Sequence, residues 1–262
     1  MIKYRCAHLK NEFISPMKQV KNIMGMPIAV EIADSSVTDE IFNTVFGYFT
    51  YIDEVFNILK INSEIAHINR GELAETDWSD DMKAIFELAE AARQKTDGYF
   101  DIQKPDGSYD PSGIVKSWAI QNAATIIKNA GFENFYIDAG GDIQTSGVNT
   151  DGEPWRIGIK NPFNEQEVVK VVQSKDSAIA TSGTYIRGLH IYNPKTGMPA
   201  DDIVSMTVVG DHICDADLVA TAALAMGDQG IRFIENMPGF EAYAIDKDGM
   251  ATMTSGFHRY VS

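Results

Sequence analysis

The stretch Ile213-Cys-Asp-Ala-Asp-Leu-Val-Ala-Thr-Ala-Ala-Leu-Ala-Met226 is apolar and rich in alanine, which predicts a helix. Asp217 and Thr221 stand four positions apart in it, so their oxygens should project from one face. A carboxylate and a hydroxyl one turn apart form a hard-oxygen pair, which suits Mg²⁺ better than zinc or copper. The alternative is a carboxylate on the helix dipole and a threonine bonded to its own backbone. The pair alone leaves both interpretations open.

The rest of the chain predicts an α+β fold, because helices and strands are mixed without a regular βαβ order. The amphipathic spacing predicts a long first helix, and Ser79 is the expected N-cap of the second. Predicted helices cover 36–59, 77–95, 113–130, 213–226 and 229–235, and predicted strands cover 26–32, 135–139, 155–160, 168–173, 178–181, 203–209, 241–245 and 250–254.

Composition narrows the class of protein. The chain has 262 residues, and neither a repeat nor a Pro/Ser/Gly-rich linker divides it, so we expect a single domain over 1–262. Its formal net charge of −15, with scattered Lys and Arg, argues against a nucleic-acid partner. Cys6 and Cys214 lack metal-ligand spacing, and two reduced thiols are the simplest interpretation.

The first ten residues, Met1 to Lys10, lack the apolar core of a signal peptide. No apolar run approaches the ~18 residues that a membrane span requires. We therefore expect a cytoplasmic protein without a membrane insertion, although a removed leader stays an open alternative.

Asp110-Pro-Ser-Gly-Ile-Val-Lys116 is a second candidate site, because a Pro/Gly turn opens a predicted helix there. The free N–H groups of a helix start can face an anion, and Lys116 lies about one turn in. The alternative is capping alone, with Ser112 as the N-cap.

Two further segments carry weaker signals. Gly140-Gly141-Asp142 follows a predicted strand, and paired glycines allow positive φ or a close approach to a ligand. His190 lies in an apolar context, where a lone histidine is more often structural than catalytic. Neither a Gly-x-Gly-x-x-Gly nor a Walker-type motif supports a common nucleotide-binding fold.

Taken in order, these segments resemble the FAD:protein FMN transferase (ApbE-like) family over roughly residues 24–227. The motifs that carry the resemblance are Met24-Gly-Met-Pro27, Ser63 to Asn69, Thr96-Asp-Gly-Tyr-Phe-Asp101, Asp110 to Lys116, Gly140-Gly-Asp142, Ala178 to Gly183, His190 to Gly197 and Asp217 to Thr221.

The resemblance implies a fold of the thymidylate-synthase-associated type and Mg²⁺-dependent transfer of FMN from FAD to a threonine of an acceptor flavoprotein, with release of AMP. It implies Asp217 and Thr221 as metal ligands, assisted by a backbone carbonyl near Gly113, and His190 as the catalytic residue. The positions that match the family's FAD contacts are Met24, Tyr99, Phe100, Asp101, Asp110, Lys116, His190 and Ile191.

Four positions depart from the family pattern. Leu59 stands where the family usually has an aromatic residue, and Asn193 replaces a common aspartate. Ser117 and Trp118 follow Lys116 in place of glycine and tyrosine. A lost stacking surface at Leu59 would weaken retention of FAD or shift the balance toward hydrolysis. The alternatives are therefore a FAD pyrophosphatase that yields FMN and AMP, and a FAD-binding protein without turnover.

Overall fold

The computed structural model describes residues 17–184 and 193–261. The helices are α1 (Asp39–Phe56), α2 (Glu64–Asn69), α3 (Asp80–Lys95), α4 (Ser112–Asn129), α5 (Ile213–Ala225) and α6 (Gly230–Glu235). The strands are β1 (Met17–Ile23), β2 (Met26–Ile32), β3 (Phe135–Ala139), β4 (Asp142–Ser146), β5 (Trp155–Asn161), β6 (Asn164–Ser174), β7 (Ala178–Gly183), β8 (Ile203–Gly210), β9 (Glu241–Asp246) and β10 (Ala251–Met253).

Eight strands form one antiparallel sheet in the order β1-β2-β3-β4-β7-β8-β9-β10, and β5 pairs with β6 in a separate hairpin. The α+β prediction is confirmed. Register brings the start of β4 and the end of β7 to the same end of the sheet, since Ile143 pairs with Ile179 in antiparallel strands. The turns that carry the candidate residues therefore meet there.

Alternation along the strands builds a core on each face of the sheet. Ala178, Ala180 and Val208 point into the larger core, which they share with α1, α4 and α5. Ile179 and Val209, one residue along, point into a smaller core under the β5–β6 hairpin. Both faces of the sheet are covered here, so the site at its end stands on rigid elements.

Helix α5 lies between the sheet and α4, and it contacts β7, β8 and α4. Its alanines, among them Ala216, Ala220 and Ala223, are fully buried and allow the close approach that larger residues would prevent. The predicted helix over 213–226 is confirmed, and its nearly all-round burial explains its continuous apolar sequence.

Helix ends follow the predicted chemistry in part. Ser79 caps α3, as predicted, by accepting a hydrogen bond from the Met82 N–H. Gly131 takes a φ of 90° just beyond α4, a left-handed conformation that glycine readily adopts at the end of a helix. The interpretation of Ser112 as an N-cap is wrong: Ser112 is the first residue of α4, and its N–H donates to Asp110 Oδ1 at 3.1 Å.

Candidate active site

Lys116 joins two buried carboxylates at the end of the sheet. It lies in the first turns of α4, and its ammonium contacts Asp142 Oδ2 directly and lies 4.0 Å from Asp217 Oδ2. Asp142 and Asp217 are only 1% and 4% exposed. Burial of carboxylates costs free energy unless charges and hydrogen bonds compensate it, so such a cluster marks a candidate functional site.

The same cluster continues through strand β7 to Thr221. Asp142 Oδ1 accepts a hydrogen bond from the Thr181 N–H at 3.1 Å. The next residue, Ser182, places its Oγ 3.0 Å from Thr221 Oγ1. Thr221 follows Asp217 by one helical turn, so these contacts close a ring, which we call the polar ring: Asp217, Lys116, Asp142, Thr181, Ser182 and Thr221.

The Gly140-Gly141 turn brings Asp142 into the polar ring. Both glycines have positive φ, 64° and 97°. A Cβ on Gly140 would approach Met26 Sδ to 2.9 Å, so the turn requires glycine for its conformation and for this close contact. The expectation of positive φ is confirmed, and the side chain nearest to Gly140 is Met26 of strand β2.

The turn between α3 and α4 is built by hydrogen bonds from Thr96 and Asn69. Thr96 Oγ1 donates to the Ala92 carbonyl and accepts from the Phe100 N–H, which supports the positive-φ residues Asp97 and Gly98. Asn69 pairs with the Tyr109 backbone through both its amide atoms, at 2.9 and 2.8 Å. These contacts fix the chain on both sides of the motif at Tyr99–Asp101.

Phe100 connects this motif to the start of α4. Its ring is buried, and a Cβ on Gly113 would lie 3.3 Å from it. Tyr99 is half-exposed beneath Lys195, whose ammonium lies 5.6 Å from the ring centroid and 2.9 Å from Asp97. Asp101 is exposed, and its Oδ1 accepts from the Gln103 N–H.

The structure thus brings Lys116, Asp217 and Thr221 together at one end of the sheet. Asp110 and Gly113 lie at the start of α4, the helix that carries Lys116, and Phe100 packs at Gly113. Met24 is in the β1–β2 turn with a φ of 57°, two residues before Met26. His190 and Ile191 lie outside the described residues, so their assignments stay predictions.

Sequence reasoning missed Asp142, Thr181 and Ser182 as members of the polar ring. The glycine pair drew attention to Asp142 in the sequence. The burial of Asp142 and its contact with Lys116, 26 positions away, follow only from the fold. Asp215 lies outside the polar ring, and its carboxylate is 3.8 Å from the Lys95 ammonium.

The donor set fits a hard cation. Asp217 supplies a carboxylate, and Thr221 and Ser182 supply hydroxyl oxygens. Within residues 17–184 and 193–261, no group of three or more His, Cys, Asp and Glu side chains could hold a metal ion. A cation here would therefore depend on a mixed set of carboxylate, hydroxyl and carbonyl oxygens.

Cys214 lies behind the polar ring on α5. Burial, followed by the charge of Asp217, raises the pKa of its thiol to about 12. The thiol therefore stays protonated near neutral pH.

At the end of its antiparallel sheet, this α+β fold gathers a partly buried lysine, two buried carboxylates and two hydroxyl groups. Residues 103–244 match the model of the ApbE family, which is over half of the chain. The chain belongs to the ApbE family.

Curated relatives agree with this assignment. The FAD:protein FMN transferase of Vibrio cholerae is 34% identical over 168 residues, which are 60% of this chain and 49% of that protein. The protein of the same name from Escherichia coli is 28% identical over 161 residues, 58% of this chain and 46% of that protein. The chain thus spans about half the length of the curated relatives it matches.

Solved structures show the same fold. The flavin transferase ApbE from Vibrio cholerae superposes with a TM-score of 0.82 at 21% identity, covering 94% of this chain and all of that one. The ApbE protein from Thermotoga maritima gives a TM-score of 0.85 at 20% identity, covering 95% of this chain and all of that one.

Proposed function

We propose that this chain transfers the FMN part of FAD to a threonine of an acceptor protein and releases AMP. The polar ring carries the proposal: Lys116 and the oxygen ligands Asp217 and Thr221 converge in a chain of the ApbE family. Relatives named for this activity support it.

In the proposed reaction, the threonine oxygen attacks the phosphorus on the FMN side of the pyrophosphate. A new P–O bond forms to threonine, and the P–O bond to AMP breaks, so AMP departs with its electron pair. The threonine proton passes to His190, because an imidazole is the side chain that most often serves as a general base. This role rests on the family resemblance.

We assign the cation site to Asp217, Thr221 and a backbone carbonyl near Gly113. Mg²⁺, when bound there, would neutralise pyrophosphate oxygens and the charge on departing AMP. Lys116 supplies a second positive charge beside this site, because its ammonium is 4.0 Å from Asp217. The chain's own residues therefore orient the phosphates in line with the acceptor.

The FAD site would extend from Lys116 along the start of α4 to the turn at Tyr99, Phe100 and Asp101. Asp110 fixes the first residue of α4, and Phe100 packs at Gly113, so these contacts would hold the nucleotide-binding surface in shape. Met24, His190 and Ile191 complete the proposed FAD contacts.

A FAD pyrophosphatase is the second candidate, and one observation favours it. Leu59, in the turn after α1, is 89% exposed, so an aliphatic side chain stands open where the family has an aromatic one. Without an aromatic surface for stacking, water would compete better with an acceptor threonine. A binding protein without turnover is the third alternative.

The experiment is incubation of the purified chain with FAD and Mg²⁺, with and without an acceptor domain that carries a target threonine. We expect AMP and an acceptor that is heavier by one FMN, both lost on addition of EDTA. AMP with free FMN would establish the pyrophosphatase instead. Intact bound FAD without AMP would establish the binding protein.

An acidic chain with a net charge of −15 also fits a protein acceptor better than a nucleic-acid partner. A cytoplasmic location stays a prediction. None of the helices in the described ranges is long and apolar enough to cross a membrane.

A further inference from the structure

The Asp142 side chain is buried, and neighbouring groups of the fold determine its position. It is the first residue of β4, and the Gly140-Gly141 turn precedes it. Its Oδ1 accepts the Thr181 N–H from the neighbouring strand, and the Gly141 N–H is bound by Asp138 at 2.8 Å. One oxygen of the carboxylate is therefore held by strand β7, the preceding turn is held by Asp138, and Oδ2 is directed at Lys116.

The Lys116 ammonium lies near two carboxylates. It contacts Asp142 Oδ2 and lies 4.0 Å from Asp217 Oδ2. A lysine side chain is a flexible four-carbon stem with a point charge, so it can move between nearby anions. An ammonium that closed onto Asp217 would compete with a divalent cation for the same oxygens.

We propose that Asp142 is a positioning residue that holds the Lys116 ammonium away from Asp217, so that Asp217 can bind the cation while Lys116 points at the phosphates. This inference rests on the proposed cation site at Asp217 and Thr221. It assigns to the Gly-Gly-Asp turn a function in cation binding, which it exerts through Lys116 and not as a ligand.

The test is binding of Mn²⁺ alone, measured by the loss of the free Mn²⁺ signal in electron paramagnetic resonance, in the absence of flavin. The native chain and Asp217→Asn are measured first. Binding that Asp217→Asn abolishes establishes the cation site independently of Asp142. Absence of Asp217-dependent binding would overturn the cation site and, with it, this inference.

Asp142→Asn keeps an oxygen for the Thr181 N–H but removes the charge that holds Lys116. We expect Mn²⁺ to bind about tenfold more weakly, because the Lys116 ammonium, no longer held by Asp142, would compete with the cation for the Asp217 oxygens. The double variant Asp142→Asn, Lys116→Met should recover to within about threefold of the native affinity, because the competing ammonium is gone. Circular dichroism verifies folding, and Asp142→Ser replaces Asn should Asn not fold.

Two matched controls exclude a general charge effect. Asp138→Asn removes a carboxylate from the same turn, and it should leave the affinity within about twofold of the native value. Asp142→Asn, Lys95→Met removes a different cation beside α5, and it should stay as weak as Asp142→Asn. Three results would each overturn the inference. The first is a native-like Mn²⁺ affinity of Asp142→Asn. The others are a double variant with Lys116→Met whose affinity does not recover, and an equal recovery of affinity in the double variant with Lys95→Met.

Discussion

Ser182 Oγ lies 3.0 Å from Thr221 Oγ1, so the end of strand β7 and the middle of helix α5 meet through two hydroxyl groups. Only one of the two can donate in this hydrogen bond, and the bond fixes the direction of the Thr221 oxygen. Ser182 is buried, which makes the strand a rigid support for that oxygen. The orientation of the proposed metal ligand is thus a property of the sheet as well as of the helix.

Thr221→Val should abolish most Mg²⁺-dependent release of AMP, because valine keeps the shape but removes the ligand oxygen. Ser182→Ala should reduce activity less, about tenfold, since it removes only the support of that oxygen. AMP release at several Mg²⁺ concentrations measures both effects. Full activity of Thr221→Val at low Mg²⁺ would contradict the assignment of Thr221 as a ligand. The control is Thr207→Val, which removes the hydroxyl that pairs with Thr181, the residue next to Ser182.

Asn69→Ala should weaken FAD binding with little change in kcat. The Asn69 amide makes two hydrogen bonds to the Tyr109 backbone and so fixes the chain that leads to Asp110. Loss of both, with backbone groups left unsatisfied, should also lower the free energy of unfolding by about 1–3 kcal/mol. Equilibrium titration with FAD and thermal melting measure the two effects.

Ser108→Ala is the control for Asn69, because the Ser108 hydroxyl donates to Asp106 within the same exposed loop. It should leave both FAD affinity and melting temperature near the native values. An Asn69→Ala protein that binds FAD as the native chain does would show that the loop keeps its conformation without this bridge.

Cys214 should not react with a thiol reagent at pH 8 until the protein unfolds. Burial and the nearby Asp217 charge raise the pKa of its thiol from 9.0 to about 12. Because the folded pKa is the higher one, the associated stability is present below pH 9 and is lost as pH rises toward about 12. Melting curves from pH 8 to 11 should show a smaller decline for Cys214→Ala. Because Cys6 is a second thiol, labelling is measured in the Cys6→Ser chain, where rapid native-state reaction would contradict the prediction.

Periodicity predicted the elements whose burial follows the chain's apolar pattern. The 36–59 and 77–95 helices and the 26–32 strand were found because one face of each is apolar. Strand β1 was missed because it is an exposed edge strand with lysines, and β4 because polar residues such as Gln144 and Thr145 are buried in it. Their pairing partners, not their own sequence, determine that these segments are strands.

The residues of the candidate site also fall into two groups, those that a local sequence pattern predicts and those that only the fold brings together. Asp217 and Thr221 share a helix, so their spacing alone predicted that they would point together. The contact of Lys116 with Asp142 joins a helix to a strand that follows it, and no local pattern encodes that distance. Residues that act through long-range contacts therefore require the fold, whereas residues on one element can be found from the sequence.

Asp138→Asn should stabilise the protein at neutral pH. Burial, with the nearby Asp142 charge, raises the pKa of the Asp138 carboxyl above 3.8, although the Gly141 N–H opposes this. When folding raises the pKa of a carboxyl group, the associated stability is present below the pKa of the unfolded state. That stability is lost as the pH rises through the pKa of the folded state. The ionised form of Asp138 therefore disfavours the folded state. Asparagine keeps an acceptor for the Gly141 N–H without the charge. The melting temperatures of the native chain and of Asp138→Asn should differ at pH 7 and converge as the pH falls below 3.8. Equal stability at pH 7 would show that solvent, or Lys18 and Lys160, already compensate the charge of Asp138.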